Sequence, residues 1–125
     1  MGKPVKAVFD THILIDYLNG IEAAKIELAH YSTRQISVIS LIEVLVGATN
    51  AAEENAIRSF LGTFEILELS AEIASQAIAI RKQYRLKIPD AIVYSTARTQ
   101  GCLLVSRNTK DFNQDWPDIR IPYQI

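Results

Sequence analysis

Short apolar runs with the length of buried strands recur along the chain. Runs that lack a polar face are typical of parallel strands that are covered on both sides. One of the runs instead alternates apolar residues with Glu65 and Glu68, which is the period of a half-buried strand. The predicted strands are residues 5–9, 35–39, 64–69, 103–105 and 119–121.

Between these runs, apolar residues return every three or four positions, which predicts amphipathic helices. Gly20 and Gly101 mark the ends of two of them. Ser70 and Pro89 stand where two others begin. The predicted helices are residues 12–18, 21–30, 40–48, 53–61, 70–84 and 89–99.

Strands that alternate with helices of this size predict an α/β fold, with a central parallel sheet and helices on both of its faces. No repeat, low-complexity tract or linker interrupts the pattern, so we expect one domain over residues 1–125. In open parallel sheets, ligands bind beyond the carboxyl ends of the strands, near the point where the strand order reverses. Residues that follow a strand are therefore the first candidates for chemistry.

The composition is that of an ordinary globular domain, with 125 residues, 49% hydrophobic and 22% charged, and a net charge of −1. That balance excludes a strongly basic protein that coats RNA, although local basic patches still allow contact with nucleic acid. The single cysteine, Cys102, excludes an internal disulfide and a cysteine-based zinc site, and we expect it to be a small buried hydrophobe. Asp10 interrupts the first apolar stretch, so we expect neither a signal peptide nor a membrane span, but a cytoplasmic protein without a membrane partner.

Four acidic residues fall next to predicted strand ends or helix starts, and each has an ordinary explanation. Asp10 fits a helix N-cap, and Asp90 fits the first turn of a helix, where the helix dipole favours negative charge. Ser40 and Glu43 have the spacing of a capping box, which places the Glu43 carboxylate in the first helical turn. Asp111 fits a turn or cap position.

Taken together, the four acids indicate a shared site and not only four separate helix or turn caps. If the fold brings them to one crevice, they repel each other unless a cation lies among them. Carboxylate oxygens suit Mg²⁺ or Mn²⁺, ions that keep several waters and also bind substrate phosphates. Such a centre can activate water and neutralise the charge of a phosphodiester. The acids therefore favour a metal site for phosphodiester chemistry at the carboxyl edge of the sheet.

Four segments around these acids resemble the motifs of one family. Residues 8–16 (VFDTHILID) resemble its opening strand–Asp–Thr motif, and residues 39–44 (ISLIEV) resemble its second motif with the glutamate in place. Residues 89–97 (PDAIVYSTA) resemble the third motif, and residues 104–112 (LVSRNTKDF) resemble the fourth. Because the four occur in the family's order and at similar distances, the chain is identified as a member of the PIN-domain family. Its similarity is greatest to the VapC-type toxins of bacterial toxin–antitoxin pairs.

The resemblance implies a catalytic metal site. Asp10, Glu43 and Asp90 match the three core acids of the family, which hold one or two Mg²⁺ ions, with Mn²⁺ as a substitute. The family's fourth acid varies in place and identity. Here the segment offers Asn108 or Asp111, and Asp111 is favoured as the fourth catalytic residue because Asn108 is neutral.

The resemblance also implies the substrate, which is single-stranded or looped RNA cleaved by an endoribonuclease. Arg107 and Lys110 flank the fourth motif, and we expect them to contact phosphate. Thr11 and Ser106 are expected to orient ligands or substrate through their hydroxyl groups. His12 stands where asparagine or serine is commoner in the family, and it is either an exposed turn residue or a substrate contact.

A second group of cations lies at the end of the helix predicted at residues 70–84. These cations fit either a solvated helix C-terminus or a further phosphate contact. The group consists of Arg81, Lys82, Arg85 and Lys87. The resemblance further implies a cognate antitoxin protein and a homodimer as partners. In VapC-type relatives, the half of the domain that contains helices 21–30 and 53–61 forms these contacts.

Three other functions are open on the sequence alone. A catalytically silent PIN-like module would bind RNA or a partner without cleavage, but all three core acids are present. A phosphotransfer protein is disfavoured, because Asp10 lacks the second aspartate two residues further on that such phosphatases use. DNA cleavage uses the same chemistry as RNA cleavage, and acids with a metal do not distinguish the two.

Overall fold

Five parallel strands form the centre of this protein, in a computed structural model that describes residues 6–125. The strands are β1 (Lys6–Phe9), β2 (Thr33–Ser37), β3 (Glu65–Leu67), β4 (Leu103–Val105) and β5 (Ile119–Arg120). The helices are α1 (Thr11–Leu18), α2 (Glu22–Leu28), α3 (Val38–Val46), α4 (Ala51–Leu61), α5 (Ala71–Tyr84) and α6 (Ile88–Gln100). Within these described residues, every helix is too short or too polar to cross a membrane. The predicted α/β fold with a parallel sheet is confirmed.

The strand order, β3-β2-β1-β4-β5, places the first strand in the middle of the sheet. The chain moves outward from β1 to β3 on one side and then returns, so that β4 pairs with the other edge of β1. The order therefore reverses between β1 and β4, where Phe9 pairs with Val105 and the Asp10 N–H donates to the Val105 carbonyl over 2.9 Å. Asp10 and Ser106 directly follow these two strands, at the crevice where a ligand is expected.

Helices cover both faces of the sheet, because successive residues of a strand point to opposite sides. Val8 of β1 lies in a core with Tyr94 of α6. Phe9 follows Val8 directly and points to the opposite face, where it lies in a second core with Ile13 of α1 and Ile57 of α4. Burial on both sides explains why the central strands are continuous apolar runs in the sequence.

Several helix ends are those that the sequence predicts. The Asp10 side chain caps α1 by accepting from the Thr11 N–H over 2.9 Å. Ser70 caps α5 by accepting from the Ile73 N–H over 3.2 Å. Gly101 ends α6 with a φ of 66°, a conformation that side chains with a Cβ rarely adopt. Capping chemistry therefore sets the start of α1 directly behind the central strand.

The predicted boundary between the second strand and the third helix is wrong. β2 ends at Ser37, whose side chain accepts from the Ile39 N–H over 3.1 Å and caps α3. Val38 and Ile39 have the β-branched side chains of a strand but lie in α3, because capping and packing override that preference. Ser40 therefore does not cap the helix, and Glu43 lies in the second turn of α3 instead of at the third position of a capping box.

Smaller differences occur at other boundaries. β3 is shorter than the predicted strand at residues 64–69, because it pairs only with residues 35–37 of β2 at the edge of the sheet. α4 begins at Ala51, two residues earlier than predicted, because the Asn50 side chain caps it by accepting from the Glu53 N–H. Residue 5, the first of the predicted strand at 5–9, lies outside the described residues.

A buried carboxylate, Glu27, ties α2 to the edge strand β5. It is 2% exposed and accepts hydrogen bonds from Arg120 Nε and Nη2, at 2.6 and 2.9 Å, and from the Tyr31 hydroxyl at 2.9 Å. Burial raises the pKa of Glu27, but the hydrogen bonds from Arg120 and Tyr31 outweigh burial and hold the pKa below its ordinary value. We call Glu27, Arg120 and Tyr31 the Glu27 cluster.

The Glu27 cluster should make stability depend on pH in acid. Because the folded pKa of Glu27 lies below its ordinary value of 4.5, its contribution is complete above that value and is lost as the pH falls toward the folded pKa. Between about pH 5 and pH 3, the free energy of unfolding should therefore fall more steeply for the wild type than for Glu27→Gln, which has no carboxylate to protonate. Denaturant unfolding of both proteins at several pH values measures the difference, and equal slopes would contradict the prediction.

Candidate active site

A pocket of about 490 Å³ opens at the carboxyl ends of β1 and β4. Its lining combines acids, cations and amide groups from separate parts of the chain. The lining residues are His12, Glu43, Lys87, Pro89, Asp90, Arg107, Asn108, Thr109, Lys110 and Asp111. Asp10 is buried beside this acidic pocket, where its charge acts on Asp90 and the charge of Glu43 acts on it. The acidic pocket thus lies where the strand order reverses.

A larger cleft, of about 700 Å³, lies at the amino ends of the same strands and has different chemistry. Its acid, Asp118, already binds Arg98 at 3.0 Å. Cys102 also lines it and is half-buried, with its thiol 3.9 Å from the Ala97 carbonyl oxygen. A single acid that is already paired offers no set of free carboxylates, so this cleft is not a candidate for the metal site.

Asp10 is a helix cap and an acid of the pocket region at the same time. Its Oδ1 accepts from the Thr11 N–H over 2.9 Å, and its Oδ2 accepts from the Ser106 hydroxyl over 2.7 Å. The residue is 4% exposed, and burial raises its pKa although both hydrogen bonds oppose the rise. Each carboxylate oxygen has a second lone pair, so capping leaves Asp10 able to bind another group.

Glu43 reaches the pocket from the second turn of α3, and a chain of hydroxyls holds it. Its Oε1 accepts from the Thr11 hydroxyl over 2.7 Å, and the Ser40 oxygen lies 2.9 Å from the same hydroxyl. Because Thr11 has one hydroxyl proton and the carboxylate takes it, the Ser40 hydroxyl donates to Thr11 Oγ1. The Ser40 side chain thus holds the Thr11 hydroxyl and does not form the helix cap that the sequence predicted.

Asp90 and Asp111 meet in the acidic pocket. Burial and the charges of Asp10 and Asp111 raise the pKa of Asp90 to about 7, and Asp111 lies within hydrogen-bonding reach of it. Asn108 holds Asp111 in place, since its Nδ2 donates to Asp111 Oδ2 over 2.9 Å and its Oδ1 accepts from the Asp111 N–H over 3.2 Å. The two candidates for the fourth polar position are therefore hydrogen-bonded to each other.

The crowding of these carboxylates fits a divalent cation. Two carboxylates within hydrogen-bonding reach must share a proton or a cation, and hard oxygen donors suit Mg²⁺ or Mn²⁺. In the part of the chain that the structure describes, no group of three or more acidic, histidine or cysteine side chains is already arranged to hold an ion. Asp10 and Glu43 are instead hydrogen-bonded to the hydroxyls of Ser106 and Thr11.

Positive charge borders the acids on one side. Lys87, Arg107 and Lys110 line the acidic pocket together with the exposed His12. Arg81 lines a separate apolar groove between α5 and α6, and its Nη1 donates to a backbone carbonyl over 2.8 Å. The cation group at the end of α5 therefore divides, with Lys87 at the pocket and Arg81 away from it.

Sequence reasoning missed two residues near the pocket, Asp16 and Tyr123. Asp16 is 3% exposed and accepts from Arg107 Nε and Nη2, at 2.5 and 3.0 Å, and from the Tyr123 hydroxyl at 2.7 Å. An acid within the apolar stripe of Ile13 and Leu14 is the one sequence signal that marks Asp16 as unusual. Tyr123 carries no such signal.

The fold and the acidic pocket define a known class of protein. Residues 7–114 match the family model of the PIN domain, so the chain belongs to the PIN-domain family. Ribonuclease VapC1 of Rickettsia felis is 30% identical to it over an alignment of 119 residues, which covers 86% of this chain and 88% of that protein. The similarity to VapC-type members that the sequence motifs indicated is thereby confirmed.

Solved structures agree with this classification. A chain of a toxin–antitoxin complex from Klebsiella pneumoniae is 42% identical, with a TM-score of 0.90 over 95% of this chain and 99% of that chain. A chain of VapBC2 from Rickettsia felis, bound to a DNA fragment from its promoter, is 21% identical, with a TM-score of 0.71 over 91% of this chain and 95% of that chain. At that identity the second likeness concerns the fold alone.

Proposed function

We propose that this chain is a divalent-metal-dependent endoribonuclease that cleaves single-stranded or looped RNA, and that it is the toxin of a type II toxin–antitoxin pair. The observation that carries the proposal is that Glu43, Asp90 and Asp111 line one pocket where the strand order reverses, with Asp10 buried beside it and Asp111 within hydrogen-bonding reach of Asp90. Identities of 30% to a ribonuclease and 42% to a chain of a toxin–antitoxin complex support the substrate and the pairing. A single PIN domain over residues 1–125, acting in the cytoplasm, belongs to the same proposal.

The proposed ligands of Mg²⁺, or of Mn²⁺ as a substitute, are Asp10, Glu43 and Asp90. When bound, the ion supplies a Lewis acid that activates water and neutralises charge on a phosphodiester. The protein's own part is to hold the carboxylates toward one point. The Thr11 N–H and the Ser106 hydroxyl donate to the two oxygens of Asp10, and the Thr11 hydroxyl donates to one oxygen of Glu43. These bonds orient both carboxylates and leave lone pairs on their oxygens for an ion.

The remaining pocket residues act on charge and on substrate in this proposal. Asp111, held by Asn108, is the fourth acid and increases the preference for a divalent cation. Lys87, Lys110 and Arg107 border the acids and neutralise the phosphates on either side of the scissile bond. Few cations are involved, so RNA binding without metal should be weak and sensitive to salt.

Two apolar surfaces support the proposed protein partners. Ile78 and Ile88, which are 60% and 63% exposed, border the groove between α5 and α6. We assign this surface to the homodimer, in place of the half of the domain with helices 21–30 and 53–61 that the resemblance implied. A second groove, between α1, α3 and α4, is lined by Ile15, Ile57 and Glu43, and we assign it to the cognate antitoxin. An antitoxin in that groove would lie directly beside the proposed metal ligands.

Cleavage of a labelled single-stranded RNA tests the proposed activity. The wild type should cleave it in Mg²⁺ or Mn²⁺ and should not cleave it in EDTA. Asp90→Asn removes the charge of a proposed ligand and should cleave roughly 100-fold more slowly or worse. Asp115→Asn is the matched control, because Asp115 is an exposed aspartate outside the acidic pocket, and it should keep the wild-type rate.

Each alternative predicts a different outcome of the same assay. Cleavage that persists in EDTA, or that is equal in the wild type and Asp90→Asn, would contradict the metal-dependent mechanism. RNA binding without cleavage would favour the catalytically silent module. Cleavage of single-stranded DNA but not of RNA would assign the same acids to a deoxyribonuclease.

A further inference from the structure

One side-chain arrangement occurs twice in this fold. In each copy, a buried carboxylate accepts from Nε and Nη2 of an arginine and from the hydroxyl of a tyrosine. The Glu27 cluster is the first copy, and its residues do not line the acidic pocket. Asp16, Arg107 and Tyr123 form the second copy, and here the arginine does line the acidic pocket. We call this second copy the Asp16 cluster.

The Asp16 carboxylate occupies one edge of the Arg107 guanidinium and leaves the other edge free. Nε and Nη2 lie 2.5 and 3.0 Å from the two Asp16 oxygens. Nη1 has no hydrogen-bond partner among residues 6–125, and the Arg107 side chain keeps 28% of its surface exposed. A guanidinium held in this way keeps three unused N–H donors, two of them on Nη1, in a residue that lines the pocket.

Asp16 also keeps Arg107 away from the neighbouring acids. The charge of Asp10 acts on Arg107, so an unrestrained guanidinium would be drawn to the proposed metal ligands and would take the place of a cation. Burial raises the pKa of Asp16, but the hydrogen bonds from Arg107 and Tyr123 outweigh it and hold that pKa below its ordinary value. Asp16 therefore stays charged at neutral pH and holds the arginine.

Tyr123 fixes the carboxylate from the C-terminal end of the chain. Its hydroxyl donates over 2.7 Å to Asp16 Oδ2, the same oxygen that accepts from Arg107 Nε. The Tyr123 ring packs against the core on the α1–α4 side of the sheet. With a donor on each side of one oxygen and the ring packed, the carboxylate keeps a single orientation.

We infer that Asp16 and Tyr123 are positioning residues that hold Arg107 so that its Nη1 binds a phosphate of the RNA substrate. The inference rests on the proposed function, because it concerns how the same site holds its substrate. A phosphate oxygen is the acceptor that a preoriented guanidinium binds best, through a charge-assisted hydrogen bond of fixed direction. The tyrosine and the aspartate act through the arginine and do not touch RNA.

Two variants, Asp16→Asn and Tyr123→Phe, distinguish the positioning of Arg107 from a general effect of charge on RNA binding. Asp16→Asn removes a negative charge near the pocket, which by long-range charge alone would strengthen RNA binding. If Asp16 positions Arg107, the same variant weakens binding, because the guanidinium turns to the acids. Tyr123→Phe changes no charge and should weaken binding in the same direction but less.

The experiment measures binding of a labelled single-stranded RNA in EDTA at several salt concentrations. Arg107→Ala should weaken binding about tenfold and lower the slope of log K against log salt by about 0.7, the value for one phosphate contact on a single strand. Asp16→Asn should approach the affinity of Arg107→Ala, and Tyr123→Phe should lose about two- to threefold. In an Arg107→Ala background, Tyr123→Phe should have no further effect, and Asp16→Asn should no longer weaken binding.

Tyr31→Phe is the matched control, because it removes the equivalent hydroxyl from the Glu27 cluster. It should leave RNA affinity unchanged while its thermal unfolding shifts about as much as that of Tyr123→Phe.

Tighter or unchanged RNA binding by Asp16→Asn would overturn the inference, as would equal effects of Tyr123→Phe with and without Arg107. A wild type that binds no RNA would overturn it as well. A wild type that binds RNA but does not cleave it with Mg²⁺ or Mn²⁺ would contradict the proposed function alone, and the binding comparisons would still decide the role of Asp16.

Discussion

An Asp10→Asn variant is expected to lose roughly 100-fold or more of metal-dependent RNA cleavage and yet to unfold no earlier than the wild type. Asp10 is the proposed ligand at the end of the central strand, and it interacts with both Glu43 and Asp90. An amide has the shape of the carboxylate but not the charge that a divalent ion requires. The expected loss of activity is therefore a loss of metal binding and not of structure.

The expected stability of Asp10→Asn follows from the free energy that burial of the charged Asp10 carboxylate costs the wild type. Asparagine caps a helix about as well as aspartate, so the hydrogen bond from the Thr11 N–H is kept. Burial raises the pKa of Asp10, which means that the folded protein disfavours its charged form, and the amide removes that penalty. Thermal unfolding in EDTA measures the effect, and a clearly lower unfolding temperature for Asp10→Asn would show that the carboxylate has a structural role that we have not assigned to it.

Phe9→Ala is expected to destabilise the protein by about 3–5 kcal/mol. Phe9 lies on the central strand and is 0% exposed. Its ring packs edge-to-face on Tyr31 and Phe64, with centroid distances of 5.3 and 6.2 Å. Alanine would leave a cavity between the sheet and the helices on this face, and the surrounding strands and helices can close it only in part.

Urea unfolding of Phe9→Ala measures this loss, with Phe60→Ala as the matched control. Phe60 is half-buried and stacks on Tyr17 with a centroid distance of 4.3 Å, so its truncation should cost less than that of Phe9. The dependence of the unfolding free energy on urea should stay the same in both variants, while the midpoint falls. Equal losses for the two variants would mean that the α1–α4 core does not depend on its central aromatic residue.

The fold was predictable because its central strands are buried on both faces. Val8 and Phe9 point to opposite sides and are both fully buried, so the run that contains them is apolar throughout. The boundary at the second strand was not predictable from local spacing. Ser37 and Ser40 both precede helical residues, and in the structure Ser37 is the cap while Ser40 is hydrogen-bonded to Thr11.

Part of the proposed site was also predictable, for a physical reason. Parallel strands bring their carboxyl ends to one edge, so acids that follow strands or begin helices tend to meet there. Asp10, Asp90 and Asp111 were chosen as candidates in this way, and in the structure Asp10 and Asp111 both act on Asp90. The position of Glu43 in the second turn of its helix, held by Thr11, was not visible in the spacing of Ser40 and Glu43.

The Asp16 cluster could not be predicted, because it depends on contacts between distant parts of the chain. Arg107 and Tyr123 lie 91 and 107 residues after Asp16. Arg107 was expected to contact phosphate directly, and the structure adds that the Nε and Nη2 edge of its guanidinium already binds a buried acid. Only the folded chain shows which edge of the guanidinium is left for a substrate.

The most direct test of the proposed metal site is a calorimetric titration of Mn²⁺ into the RNA-free protein at neutral pH, for the wild type, Asp10→Asn and the control Asp115→Asn. We expect the wild type and Asp115→Asn to bind one or two ions that EDTA removes, and Asp10→Asn to bind at least about tenfold more weakly. Binding of Mn²⁺ by Asp10→Asn with the wild-type affinity would contradict the assignment of these carboxylates as the metal site.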